Sequence, residues 1–147
     1  MEGISQINET MQREWDDDQF ADQVDDIIRD KSWPEEPLVN SLISLARRGS
    51  NVAAIFVSNV ILFRDGAKYD KELSIELLEK GFDRGSVECG FQLARFYFME
   101  RIFCSSYEWL LRLSKCGYAP AQYLLGYYIG EGVVSLQGSP DVLTLMN

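Results

Sequence analysis

Trp109 to Val133 reads WLLRLSKCGYAPAQYLLGYYIGEGV, and the spacing of small and large side chains around its first glycine, Gly117, decides the fold. With Gly117 as zero, two earlier stretches fall into register on Gly49 and Gly85, at intervals of 36 and 32 residues. Four residues on stand Ala53, Cys89 and Ala121, all small, and nine on stand Ser58, Ala94 and Gly126. Larger side chains fill the places between: Val57, Leu93 and Leu125 at eight, and Ile61, Tyr97 and Ile129 at twelve. Seven residues before each glycine is a leucine: Leu42, Leu78 and Leu110.

This register describes a repeated helical hairpin. A first helix ends at the glycine, which adopts the left-handed conformation of a helix C-terminus without a Cβ clash. Arg47, Arg48, Arg84 and Lys115 lie in the last turns before those glycines, where cations complement the carbonyl end of the helix. The second helix folds back, and small residues let the two backbones approach. One hairpin cannot bury its apolar face alone, so three units must stack into one core. The spacing predicts helix pairs at 38–48 and 51–63, 70–83 and 86–100, and 106–116 and 119–129. The fold class expected is all-α: an α/α solenoid of about three helix-pair repeats with an acidic N-terminal helical cap. Residues 1–36 form that cap and residues 37–133 the repeats. Residues 134–147 form a C-terminal loop and a short helix over Asp141 to Met146, with Ser139 as N-cap and Pro140 at the first helical position.

Trp109-Leu110-Leu111-Arg112, Gly117, Ala121 to Gly126 and Gly130-Glu131-Gly132-Val133 resemble the Sel-one-like repeat, a relative of the tetratricopeptide repeat. The second unit resembles it more loosely, through Leu77-Leu78-Glu79-Lys80, Gly85 and Leu93-Ala94. The resemblance implies a solenoid whose curved surface binds other proteins without catalysis.

Composition narrows the function. The chain of 147 residues holds no histidine, which removes Ser-His and Cys-His nucleophile pairs and histidine metal sites. Cys89, Cys104 and Cys116 lack close ligand spacings, so structural thiols in a cytoplasmic protein are expected, with no cofactor and no metal. The N-terminus has neither the basic start nor the apolar run of a signal peptide. The most apolar stretch, Val52 to Phe63, falls short of the roughly 20 residues needed to span a bilayer and reads as a buried helix. A net charge of −9 disfavours direct nucleic-acid binding and favours cationic partners.

That charge has an address. Residues 1–36 hold 12 acids and three bases, whereas residues 37–147 hold 11 of each. A weak helix is expected from about Ile4 to Glu14. Asp16-Asp17-Asp18 should then cap and begin an amphipathic helix of about 15 residues, with Phe20, Val24, Ile27 and Ile28 inward and Asp22, Asp25 and Asp26 outward. It ends before Trp33-Pro34, where Trp33 to Pro37 reads as a boundary segment or a short recognition element.

Two surfaces are candidates for partner binding. Asp16, Asp17, Asp18, Asp22, Asp25 and Asp26 form either a docking face for a basic protein or the solvated side of a terminal cap. Tyr123, Tyr127 and Tyr128 belong to an aromatic-rich C-terminal half that serves either as a binding groove or as solenoid core. The expected function is non-enzymatic protein binding. Its most pointed form is an inhibitor or immunity protein that presents acid where a basic toxin or nuclease expects phosphate. The alternatives are a scaffold or chaperone-like adaptor using the aromatic surface and, more remotely, a small carboxylate-dependent enzyme.

Overall fold

The computed structural model describes residues 12–63 and 70–130, with side chains through Tyr127. Every regular element among them is an α-helix. After α1 (residues 12–17) come α2 (Ala21–Ile28), α3 (Glu36–Arg47), α4 (Asn51–Phe63), α5 (Lys71–Asp83), α6 (Val87–Met99), α7 (Phe103–Lys115) and α8 (Ala119–Gly130). Each helix from α3 onward packs on the next, and α4 also meets α2 and α6, giving an all-helical repeat of paired helices. The C-terminal loop and the helix expected over Asp141 to Met146 lie outside the described residues, as do residues 1–11 and with them most of the weak helix expected from Ile4 to Glu14.

The three glycines close their helices in one way. Gly49, Gly85 and Gly117 have φ of 111°, 104° and 82°. Their amides donate to Ala46, Phe82 and Ser114, while the next amides, of Ser50, Ser86 and Tyr118, reach back to Leu45, Gly81 and Leu113. This paired bonding satisfies carbonyls that a helix end leaves open. A fourth closure, between α6 and α7, uses Arg101 at φ 62°, with Ile102 N–H reaching Tyr97. That turn has no glycine to mark it, and α7 accordingly begins at Phe103, three residues ahead of the expected start.

The repeat register explains the core. Leu42, Leu78 and Leu110 are fully buried, as are Ala53, Cys89 and Ala121, and each large side chain so buried contributes about 1.5–3 kcal/mol. One apolar cluster joins α2 through α6 and a second joins α6 through α8; Trp109 packs against both, its ring edge-on to Phe82 at 5.0 Å. Val52 to Phe63 is the buried helix its composition predicts, covered by α2, α3, α5 and α6. Among the described small positions, register fails at Gly126, which is exposed, with no described atom beyond its own stretch of helix within 4 Å of where its Cβ would be.

The acidic end differs from expectation in its boundaries. The helix expected to start at Asp16-Asp17-Asp18 starts at Ala21 and spans 8 residues. Asp16 and Asp17 instead finish α1, which continues past Glu14. The physical cause is Asp18: its carboxylate accepts from Phe20 N–H at 2.9 Å and from a distant helix, which breaks the chain between the two short helices. Val24, fully buried, anchors α2 in the main core.

Candidate functional site

An open groove of about 920 Å³ runs between α1 and the ends of the repeat units where the three glycine turns lie. Glu14, Asp17 and Asp18 line one side, and Asn51, Arg84, Ser86 and Tyr118 line the other. Its construction follows from the residue after each glycine.

In the first two units that residue is a serine, and each serine caps its helix. Ser50 Oγ accepts from Ala53 N–H at 3.0 Å, and Ser86 Oγ accepts from Cys89 N–H at 3.3 Å. Each hydroxyl then donates its own proton to a carboxylate from the N-terminal segment. Ser50 donates to Asp18 at 3.0 Å, and Ser86 donates to Glu14 at 2.7 Å. Each carboxylate takes a second bond from the helix it caps: Val52 N–H to Asp18 at 3.0 Å, and Glu88 N–H to Glu14. Two acids four residues apart therefore complete the N-termini of two second helices 36 residues apart. Carboxylates are favoured there because they accept from open amides at the positive end of the helix.

The third unit breaks the pattern. Tyr118 stands where the serines stand, and its hydroxyl donates to Glu88 Oε1 in the interior. Glu88 is 1% exposed. Burial, together with the nearby Glu14, pushes its carboxyl up to about 7 against the bond from Tyr118. Glu14 is also raised by burial, opposed by its bonds from Ser86 and Glu88. Burial and the facing Glu88 keep the Tyr118 phenol protonated. Cys89, pushed up to about 12 by burial, is a packed thiol rather than a nucleophile. Among the described residues no group of three or more Cys, Asp and Glu is disposed to hold a metal ion.

The acids singled out in the sequence divide into two sets. Asp16, Asp17, Asp22 and Asp26 are exposed; Asp16 accepts from Gln12 Nε2 at 2.9 Å, and Asp17 lies at the groove. Asp25 is half-buried and paired with Arg29 at 3.1 Å. Asp18 is half-buried and spent on the α4 cap. Tyr123 and Tyr127 are exposed on α8, at 72% and 51%, while the side chain of Tyr128 lies outside the described residues. The exposed acids lie on α1 and α2, and the exposed tyrosines lie on α8. Sequence reasoning missed Glu14, Ser50, Ser86 and Glu88. The available signal was Gly-Ser repeated at 49–50 and 85–86.

No family model, curated protein or solved structure matches the chain. No helix among the described residues is long and apolar enough to cross a membrane.

Proposed function

We propose that this protein is a non-enzymatic binding module of Sel-one-like character whose acidic N-terminal face docks a basic partner protein. In its most pointed form it is an inhibitor or immunity protein that occludes a basic toxin or nuclease. The observation that carries this reading is the clamping of the acidic segment. Asp18 and Glu14 fasten it to α4 and α6, and Val24 fastens it to the core, so that Asp16, Asp17, Asp22 and Asp26 project from an ordered support. Charges held this way bind with less ordering cost than charges on a free tail, and their summed field speeds encounter with a cation.

A second reading, an adaptor using the aromatic surface, draws support from Tyr123 and Tyr127, four residues apart and both exposed on α8. Tyrosine is a frequent anchor of protein interfaces.

One titration series separates the two, using a panel of small cationic nucleases as probes. Under the acidic model, affinity for at least one nuclease falls roughly tenfold or more between low and high salt, and again on joint Asp16→Asn, Asp17→Asn, Asp22→Asn and Asp26→Asn substitution. Circular dichroism of that variant should retain its helicity. Absence of binding across the panel at low salt, or binding indifferent to salt and to the four substitutions, overturns the acidic model. Loss of binding on Tyr123→Ala with Tyr127→Ala, at unchanged helicity, moves the docking face to α8.

A further inference from the structure

Two carboxylates outside the exposed acidic set meet at the seam between α1 and α6. Glu14 on α1 accepts from Ser86 Oγ at 2.7 Å and from the amide of Glu88. The buried Glu88 side chain accepts from the Tyr118 hydroxyl at the entry to α8. A single turn of α6 therefore ties α1 to α8, and both ties end on a carboxyl group. The charged and titratable groups facing Glu88 are Glu14 from α1, Tyr118 from the α8 entry and Arg95 from its own helix; α4, α5 and α7 supply none among the described residues. Glu14 faces Asp17 and Asp18 of its own segment as well. Arg95, the one cation acting on Glu88 there, is itself exposed and bonded to Gln92.

We infer that Glu14, Ser86, Glu88 and Tyr118 form a proton-operated clasp: with Glu88 neutral it closes α1 against the repeat, and ionisation of Glu88 releases α1 and widens the groove. A carboxylate sealed from water is costly unless its surroundings satisfy it, and here it would stand opposite the second carboxylate of Glu14. Release of α1 hydrates Glu88 and separates the like charges. Release costs the caps from Asp18 and Glu14 and the packing of Trp15 against the main core, including its edge-on contact with Phe56. The helix pairs keep their own core. Burial places the transition of Glu88 at about 7, within the ordinary range of solution pH. The clasp also governs how firmly Asp16 and Asp17, which lie on α1, are held, and it stands whichever partner the exposed acids take.

Hydrogen exchange of the full chain, read by mass spectrometry and corrected for intrinsic exchange, tests it. Between about pH 6 and about pH 8 the peptide covering residues 12–20 should lose roughly tenfold or more of its protection, while peptides from α4 keep theirs. Glu88→Gln keeps a hydrogen-bond acceptor and removes the charge, so it should hold α1 protected at both pH values; Glu14→Gln leaves Glu88 buried and removes only the facing charge, so it should reduce the loss without abolishing it. Unchanged α1 protection in the parent protein overturns the clasp. So does a loss that persists in Glu88→Gln, and so does an equal loss in α4, which marks unfolding of the whole chain.

Discussion

Asp18 shows how one side chain changes meaning between sequence and structure. In the chain it is the last of three consecutive aspartates and reads as surface charge. In the fold it collects protons from Phe20 N–H, Val52 N–H and Ser50 Oγ, so it ends one helical stretch and begins another. Asp18→Ala removes an acceptor shared by three donors, two of them at the start of the central helix. It should lower stability by about 1–3 kcal/mol. Asp17→Ala, one residue earlier and exposed, should change it by less than about 0.5 kcal/mol. Urea denaturation of the two variants in parallel measures the difference, and equal effects would assign Asp18 to the surface after all.

Among the elements, α6 carries the most constraints. It packs against α4, α5 and α7, and it approaches its neighbours closely at Gly90, where a Cβ would stand 2.7 Å from Phe82 Cδ1 and 3.1 Å from Leu113 Cδ2. Phe82 cannot move freely, because its ring rests edge-on against Trp109. Gly90→Ala therefore overpacks the junction of the two apolar clusters, at a cost of about 1–3 kcal/mol despite the better helix propensity of alanine. Thermal unfolding should show a fall in Tm, and a rise would mean that propensity outweighs the clash. The small positions that the repeat register marked act in the same way: Ala53, Cys89, Ala94 and Ser58 are buried where helices meet. Ser58 Oγ finds no hydrogen-bond partner among the described residues, so at that position size, not the hydroxyl, is what the packing uses.

At the scale of the whole molecule, the buried acids link stability to pH. The folded chain keeps the Glu88 proton to about 7, whereas an exposed glutamate releases it near 4.5. Stabilisation from the neutral form is therefore complete below about 4.5 and is lost as pH rises toward about 7. Glu14, raised for the same reason, acts in the same direction. Denaturation midpoints of the parent should fall across that window, and Glu88→Gln should remove most of the decline and be the more stable protein above it. A decline of equal size in the variant would show that other groups cause it.

The helix pairs and their glycine turns were legible because their causes are local: an apolar period, a cation in the last turn, and a residue able to take positive φ all lie within one hairpin. The concentration of charge in residues 1–36 was equally plain, since it needs only counting. The turn at Arg101 was hidden, because its side chain does not announce a left-handed backbone.

By itself, then, the sequence determined the all-helical class, the paired elements and the end that carries the acid. Only the tertiary structure decided which carboxylates face inward. Asp18 meets Ser50 across 32 residues of chain, and Glu14 meets Ser86 across 72. Such caps depend on helices brought side by side by core packing, and no local pattern of residue types encodes a bond whose two ends are joined only when the whole repeat has closed.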